Sequence, residues 1–516
     1  MDKKIISFDL GTGGNKASLY DAQGNCLASA FVPYNTEYPR VGWHEQRPAD
    51  WWSAVVESAR KLMESSGADK NEIACLGISG HSLGAVPIDK DGNLLRESTP
   101  IWSDIRAQEE VEQFFQHVDP QTWYMTTGNG FPAACYTVFK VMWYRAHEPE
   151  MFARVYKILG TKDYINFRLT GVIKTDYSYA SGTGVYDLKG WRYDPAFLEA
   201  SGIPASVWPD IVPSTHVLGE LLPDVAQAMG LGSGVKVVCG GVDNSCMALG
   251  AGNIRDGRVY TSLGSAAWIA VSSEQPVLDP QYKPFVFTHV IPGMFTSAVS
   301  IFSAGTTFSW VKDVICDELI AQAAASHEDV YGLMNEVAAR APVGSNKLIF
   351  NPSLAGGTSQ DPSIHIRGGY FGLDLKHGKP ELIRAAMEGI ALNLRLRLDL
   401  LRKYTRLEDQ ILFVGGGAKS RFYLGIFADA FNTCIRKTNI DQDAGALGAA
   451  AIAAVGCGLW KSFDKIDEIH KDVEVVEPNP ENNRKYEQLL PVFALAAEYE
   501  SRISDALRQV EFEAAA

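Results

Sequence analysis

The chain has 516 residues, 46 % of them hydrophobic and 21 % charged, with a formal net charge of −14. That length exceeds one compact core and predicts two domains of roughly 250 residues each. The acidic balance argues against a nucleic-acid partner, which would leave a basic footprint. It does not exclude a bound phosphate, whose site is built locally from backbone N–H groups and one or two cations.

In chain order, Ile5–Leu10 reads as a strand, Gly11–Asn15 as a glycine-rich turn and Ala17–Tyr20 as a second strand. A polar turn at Asp21–Asn25 leads into a third strand, Cys26–Val32. Trp51–Leu62 has the apolar spacing of an amphipathic helix, with Pro48 near its start, and Ile73–Ser79 follows as a strand. Asp91-Gly92 marks a hairpin-type turn, and Val235–Cys239 reads as a buried strand. Past the midpoint the opening pattern returns: strand Arg258–Ser262, tight turn Leu263–Ala266, strand Ala267–Ser272. Thr261-Ser262-Leu263-Gly264-Ser265-Ala266 looks like a degenerate copy of Phe8-Asp9-Leu10-Gly11-Thr12-Gly13. Near the C-terminal side, the strand Ile411–Val414 runs into Gly415-Gly416-Gly417, and Ser420 reads as the N-cap of a helix reaching about Phe431. Strands alternating with helices make this an α/β chain, and the repeat suggests two related halves facing one cleft, divided as 1–247 and 248–516.

The eight cysteines (Cys26, Cys75, Cys135, Cys239, Cys246, Cys316, Cys434, Cys457) are scattered without a C-x-x-C pair. That pattern argues against a disulfide framework or zinc site and suits a reducing compartment. No apolar leader follows Met1-Asp2-Lys3-Lys4, and no apolar run approaches a membrane span. The reading is a cytoplasmic protein with no membrane partner.

The segment Asp9–Lys16 packs several phosphate-binding features together. Its glycines, Gly11 and Gly13 among them, let backbone N–H groups approach an anion; Thr12 adds a hydroxyl and Lys16 a positive charge. Asp9, ending the strand, is placed to hold Mg²⁺ through water, because that ion dehydrates reluctantly. The segment differs from a Walker A loop, which ends in Lys-Ser/Thr before a helix, and from a dinucleotide fingerprint, because a strand follows. A tight hairpin with no ligand remains the plain alternative for one such turn, whereas three turns at strand ends suggest a nucleotide cleft.

Gly240-Gly241-Val242-Asp243-Asn244 places a carboxylate after a buried strand among small residues. Phosphoryl transfer to an alcohol needs a base for the hydroxyl proton, together with magnesium and N–H donors for the phosphates. Asp243 suits the first role; by spacing alone it equally suits an Asx-turn or the cap of a helix over Ser245–Leu249.

Together these residues resemble the FGGY carbohydrate kinases, within the actin/hexokinase-like ATPase superfamily, and especially the xylulokinase-like branch. The resemblance spans nearly the whole chain. It rests on Asp9–Thr12, Gly42–Gln46 before Trp51-Trp52, Ile101–Arg106, Thr161–Tyr164, Thr175-Asp176, the Gly241/Asp243/Asn244 segment, Ser262–Ser265, Ser303–Gly305 and Gly415–Ser420. It implies an RNase H-like core in two domains, with nucleotide in the cleft between them and closure on substrate. It implies that Asp243 is the catalytic base and touches the sugar with Asn244, that Asp9 organises Mg²⁺, and that Gly11, Thr12, Gly13 and Lys16 lie near the phosphates of ATP. Gly264 and Ser265 would form the second phosphate turn, while Gly416, Gly417, Ala418 and Asn432 would lie near the adenosine. Trp102, Asp104 and Arg106 would lie near the sugar or the loop enclosing it, with Ser82 as a further contact and His81 either a contact or a structural histidine. A homodimer is implied on the same basis.

Two departures bear on the substrate. Xylulokinases typically carry Gln-Met-His-Gly where this chain has His81-Ser82-Leu83-Gly84, so Leu83 stands at the histidine position and His81 at the glutamine. Leucine cannot bond a sugar hydroxyl, and polar recognition is where such sites gain most discrimination. Many relatives carry Gly-Glu-Arg-Thr-Pro within the segment that here reads Ser353–Ser359, so Gly357 and Thr358 lack both charges, and Ser265-Ala266 replaces the commoner Thr-Ser. The expected function is ATP-dependent phosphorylation of a small sugar, a ketopentose such as D-xylulose. Ribulose, a deoxyhexulose, a polyol or a sugar acid are the alternatives. A non-kinase ATPase of the actin-like superfamily, binding protein partners, is the alternative from another class.

Overall fold

The computed structural model describes residues 3–510. It divides into two compact units. Unit one takes the chain to Asp256 together with Ser272–Ser297 and Asp443–His470; unit two takes Gly257–Val271, Ala298–Gln442 and the chain from Lys471.

The strands that position the site are, in chain order, β1 (Lys4–Gly11), β2 (Gly14–Asp21), β3 (Cys26–Pro33), β4 (Ile73–Gly80), β5 (Val217–Glu220), β6 (Lys236–Val238), β7 (Gly241–Val242), β8 (Arg258–Leu263), β9 (Ala267–Ser273), β10 (Gln410–Val414), β11 (Cys434–Thr438) and β12 (Asp472–Val476). The helices are α1 (Pro48–Ser66), α2 (Thr137–His147), α3 (Thr161–Thr170), α4 (Asp243–Gly250), α5 (Gly305–Ile315), α6 (Lys379–Tyr404), α7 (Arg421–Phe431), α8 (Ala444–Gly456) and α9 (Pro480–Leu507).

In unit one the strand order is β5-β6-β4-β1-β2-β3, with β7 also paired to β4. The hairpin β1–β2 turns at Thr12-Gly13, and β1, β6 and β7 all run parallel to β4. Parallel strands buried on both faces read as continuous apolar runs, which is why Ile5–Leu10 was legible as a strand. Helix α1 covers one face. Trp51, Val55, Ala59 and Leu62 recur at helical spacing and are buried with Ile6, Phe8 and Leu76. Pro48 sits in its first turn and Gly67, at φ 62°, ends it.

The late segment α8 packs on β1, β4 and α4 within the same unit. The contact with α4 is possible only because both helices carry glycine at the crossing. A Cβ at Gly448 would stand 1.9 Å from the Cys246 carbonyl oxygen, and one at Gly250 1.8 Å from that of Ala444.

In unit two the strands run β9-β8-β10-β11-β12, with β8, β10 and β11 mutually parallel and β12 antiparallel at the end. The internal repeat read in the sequence appears as topology: in each unit a strand enters a glycine turn, a neighbouring strand follows, and a parallel strand flanks the first. Helix α7 starts at Ser420, whose hydroxyl accepts from the Tyr423 N–H at 3.2 Å, as the N-cap reading required.

Helix α9 buries Glu500, which accepts from the Asn351 amide, and burial pushes its carboxyl from the ordinary 4.5 up to about 7. A carboxyl that holds its proton more tightly when folded destabilises the fold as pH rises from the unfolded value to the folded one. Thermal unfolding should therefore show Tm falling between pH 5 and 7, and Glu500→Gln should flatten that fall. An identical slope in the variant would contradict the assignment.

Candidate functional site

Strand register builds the centre of unit one. Asp9 and Leu10 of β1 lie opposite Ser79 and Gly80 of β4, and Gly241 and Val242 of β7 lie opposite the same two residues. The three parallel strands therefore stop level with one another, at the carboxyl ends where α/β sheets place ligands. The next side chains beyond them are those of the Gly11–Gly13 turn, His81 and Asp243.

The Ser79 hydroxyl donates to Asp9 Oδ1 at 2.8 Å. Burial raises the Asp9 carboxyl above its ordinary range, against the Ser79 hydrogen bond and the nearby Lys16 charge, which lower it. Its second oxygen faces Gly445 of α8, where a Cβ would come within 2.9 Å. Glycine there keeps open the space beside Asp9. Lys16 forms an ion pair with Asp443, the residue preceding α8.

Asp243 is the first residue of α4 and accepts from the Asn244 N–H at 2.8 Å. Burial pushes its carboxyl up to about 7, with a further contribution from the negative charge of Asp9. A carboxyl tuned toward neutrality is the kind of group that exchanges protons at working pH.

Around this centre the structure sorts the residues expected to touch a sugar. Trp102 is 39 % exposed, and its indole N–H donates to the Thr12 hydroxyl at 2.9 Å. Ser82 is buried with only a small exposed area, and Asn244 is half-buried. Three other residues have protein partners instead. The Arg106 side chain is 0 % exposed and reaches Asp104 at 2.8 Å and Glu45 at 2.6 Å. Its guanidinium lies 3.9 Å from the Trp43 ring centroid and 5.0 Å from that of Trp143. Asp104 is fully buried and also accepts from the His44 N–H at 2.7 Å. His81 is 1 % exposed; one ring nitrogen meets the Thr161 hydroxyl at 3.2 Å, and burial lowers its pKa to about 4, so the imidazole is neutral. In this structure these three residues are held by protein partners and frame the loops.

Leu83, the departure from the xylulokinase pattern, adopts φ 62° and is 1 % exposed. A left-handed leucine costs about 1–2 kcal/mol, which packing must offset. Its side chain joins a cluster with Ala85, Tyr136 and Phe139. Leucine here fills the core and does not line the site.

Unit two holds a cavity of about 760 Å³ lined by Gly264, Ser265, Gly416 and Gly417 on one side and by Phe308, Tyr331, Tyr423, Asp329 and Asn335 elsewhere. Gly305 N–H donates to the Gly264 carbonyl at 3.0 Å, which docks the start of α5 on the second glycine turn. Phe308 stacks on Tyr331 with centroids 5.7 Å apart and meets Tyr423 at 6.0 Å. The volume and the mix of aromatic wall and backbone groups are those of a small-molecule site. Ala418 is buried beneath this lining, and Asn432 is the left-handed residue ending α7, outside it. The second departure, Gly357-Thr358, lies in a loop whose charge pairing comes from Asp361 and Arg397: Thr358 N–H donates to Asp361 at 2.7 Å, and Arg397 pairs with Asp361.

Sequence reasoning passed over Ser79, Gly445, Asp443 and the aromatic wall. The small-residue run Ala444–Ala451, which the sequence reading did not single out, is a signal of close helix packing, but nothing in it points to Asp9. Because Arg106 is a frame residue, Arg106→Met should strand two buried carboxylates and cost about 3–5 kcal/mol. Denaturant unfolding checks this, and a loss below about 0.5 kcal/mol would contradict it.

Comparison with known proteins agrees with this geometry. The model of the FGGY family of carbohydrate kinases, N-terminal domain, matches residues 4–250, and that of its C-terminal domain matches 259–457. A xylulose kinase of Bacillus subtilis (strain 168) is 31 % identical over 496 residues, covering 95 % of this chain and 96 % of the relative. A xylulose kinase of Lactococcus lactis is 30 % identical over 513 residues, 98 % of this chain and 99 % of the relative. Among solved structures, a gluconate kinase from Lactobacillus acidophilus superposes with TM-score 0.89 at 27 % identity, covering 98 % of this chain and 100 % of that one. A ligand-bound xylulose kinase from the same organism gives 0.87 at 28 %, covering 98 % and 99 %. The chain belongs to the FGGY family of carbohydrate kinases and is an ATP-dependent sugar kinase.

Proposed function

We propose that the chain transfers the γ-phosphoryl group of ATP to a hydroxyl of a neutral ketopentose such as D-xylulose, with Asp243 as the base. The observation that carries this reading is Asp243 standing at the ends of the parallel strands beside Asp9, with its carboxyl raised toward neutrality. The acceptor hydroxyl gives its proton to the Asp243 carboxylate as its oxygen bonds to the γ-phosphorus, and the bond from that phosphorus to the ADP oxygen breaks. Trp102, Ser82 and Asn244 orient the sugar. We assign phosphate contact to Gly11, Thr12, Gly13 and Lys16, and nucleotide contact to Gly264, Ser265, Gly416 and Gly417, which line the cavity of unit two. Lys16 is drawn to the phosphates from its pairing with Asp443.

Mg²⁺ suits Asp9. Among the described residues no three His, Cys, Asp or Glu side chains cluster to hold a metal. One carboxylate beside open space fits an ion that keeps its waters and arrives with the phosphates. When bound, the ion offsets charge on the phosphate oxygens.

The electrostatics favour a neutral sugar over a sugar acid. Three cations near the acceptor loops are already committed: Arg106 to Asp104 and Glu45, Lys162 to Asp163 at 2.5 Å and Asp176 at 2.9 Å, and Lys140 to two backbone carbonyls. A carboxylate brought there would give up water and meet three cations that already have partners. The eight cysteines are free thiols, in keeping with a reducing cytoplasm, and among the described residues no helix is long and apolar enough to cross a membrane.

With D-xylulose as acceptor, Asp243→Asn should lower kcat about 10²–10⁴-fold, while ATP affinity by calorimetry stays within threefold. Turnover near that of the wild type would remove Asp243 from the base role. An absence of xylulose-stimulated ADP release in the wild type would reject the ketopentose.

A further inference from the structure

Helix α2 contains one charge in an otherwise buried stretch, Val138-Phe139-Lys140-Val141-Met142-Trp143. Lys140 is 0 % exposed. Its ammonium donates to the Leu83 carbonyl at 2.9 Å and to the Ile101 carbonyl at 2.6 Å. One turn earlier on the same face, the Thr137 hydroxyl donates to the Gly84 carbonyl at 3.2 Å. The two segments so held are not neighbours in sequence. One, His81–Gly84, leaves β4 and carries Ser82; the other, Ile101–Arg106, carries Trp102, whose indole reaches Thr12. The left-handed turn at Leu83, unusual for a branched side chain, is part of the same device: its carbonyl meets the ammonium while its side chain is buried in the aromatic cluster.

A lysine is costly to bury, and a surface lysine would serve neither loop. An apolar residue would fill the volume, so packing alone does not account for the charge. What the ammonium adds is a fixed spacing between two backbone carbonyls that belong to different loops. We propose that Lys140 is a positioning residue for the phosphoryl acceptor, joining the loops of Ser82 and Trp102 so that the sugar meets a preset pocket. This inference rests on the reading of those loops as the acceptor site.

The groups facing the ammonium are Asp104, Arg106 and Cys135, with His81 nearby and neutral. Burial lowers its pKa to about 8, against the favourable charge of Asp104. Protonation is therefore lost as pH rises through about 8, and the tie between the loops weakens on the alkaline side.

Wild type, Lys140→Met and Lys140→Arg should be assayed by ADP release with whichever neutral sugar or sugar acid the wild type uses best. The expected result is a sugar KM raised at least about tenfold in Lys140→Met, with the ATP KM within twofold. In the wild type the sugar KM should climb above pH 8, and in Lys140→Arg that climb should vanish, because a guanidinium stays charged. If Lys140→Met does not fold, the pH comparison of wild type with Lys140→Arg decides. Parallel pH profiles, or sugar and ATP KM values that rise together, would overturn the proposal. A wild type that no sugar stimulates would overturn the acceptor reading beneath it, which is a different failure.

Discussion

The register of three parallel strands is the constraint on which the proposed chemistry depends. Asp9 and Gly241 both pair with Ser79, so β1, β4 and β7 end at one level. A one-residue slip would turn Asp9 to the opposite face of the sheet. It would also withdraw Asp243, which begins its helix directly after β7. The Ser79–Asp9 hydrogen bond closes this arrangement, and Gly445 completes it by leaving the second oxygen of Asp9 uncrowded. The segment supplying Gly445 lies more than four hundred residues along the chain from Asp9, yet folds into the same unit.

Around that centre, most buried charge is spent on architecture. Arg106 joins Asp104 to Glu45 between two tryptophans, Lys162 joins Asp163 to Asp176, and Lys140 joins two loop carbonyls. Each is the kind of paired group whose partner becomes expensive when the pair is broken. The consequence for function is indirect. Loops fixed by charges that already have partners would offer a sugar hydroxyls, an indole and a carboxylate. The family resemblance alone does not separate xylulose from gluconate, since kinases for both superpose on this chain; the disposition of these cations is the basis on which a neutral sugar is proposed.

Much of this was legible in the sequence because the signals were local. Continuous apolar runs marked β1, β4 and β10; Ser420 marked the start of α7; glycine clusters marked the turns that line the cavity of unit two. Asp243 was legible as a carboxylate at a strand end, although its tuning by burial and Asp9 was not, because both depend on neighbours distant in sequence. Asp104, Arg106 and His81 sat inside motifs that suggested substrate contact. Their burial and their partners, Glu45, His44 and Thr161, emerge only once the loops are folded together. Leu83 shows the limit most clearly. Its identity suggested a changed sugar contact, whereas in the structure its side chain is in the core and its carbonyl accepts from the Lys140 ammonium.

The central claim, phosphorylation of a neutral sugar at the strand ends of unit one, is tested most directly by kcat/KM for D-xylulose and D-gluconate measured side by side with Mg·ATP. The account predicts a preference for D-xylulose of at least about 100-fold, the scale of leaving a carboxylate without a partner. Equal use of the two, or a preference for gluconate, would contradict it.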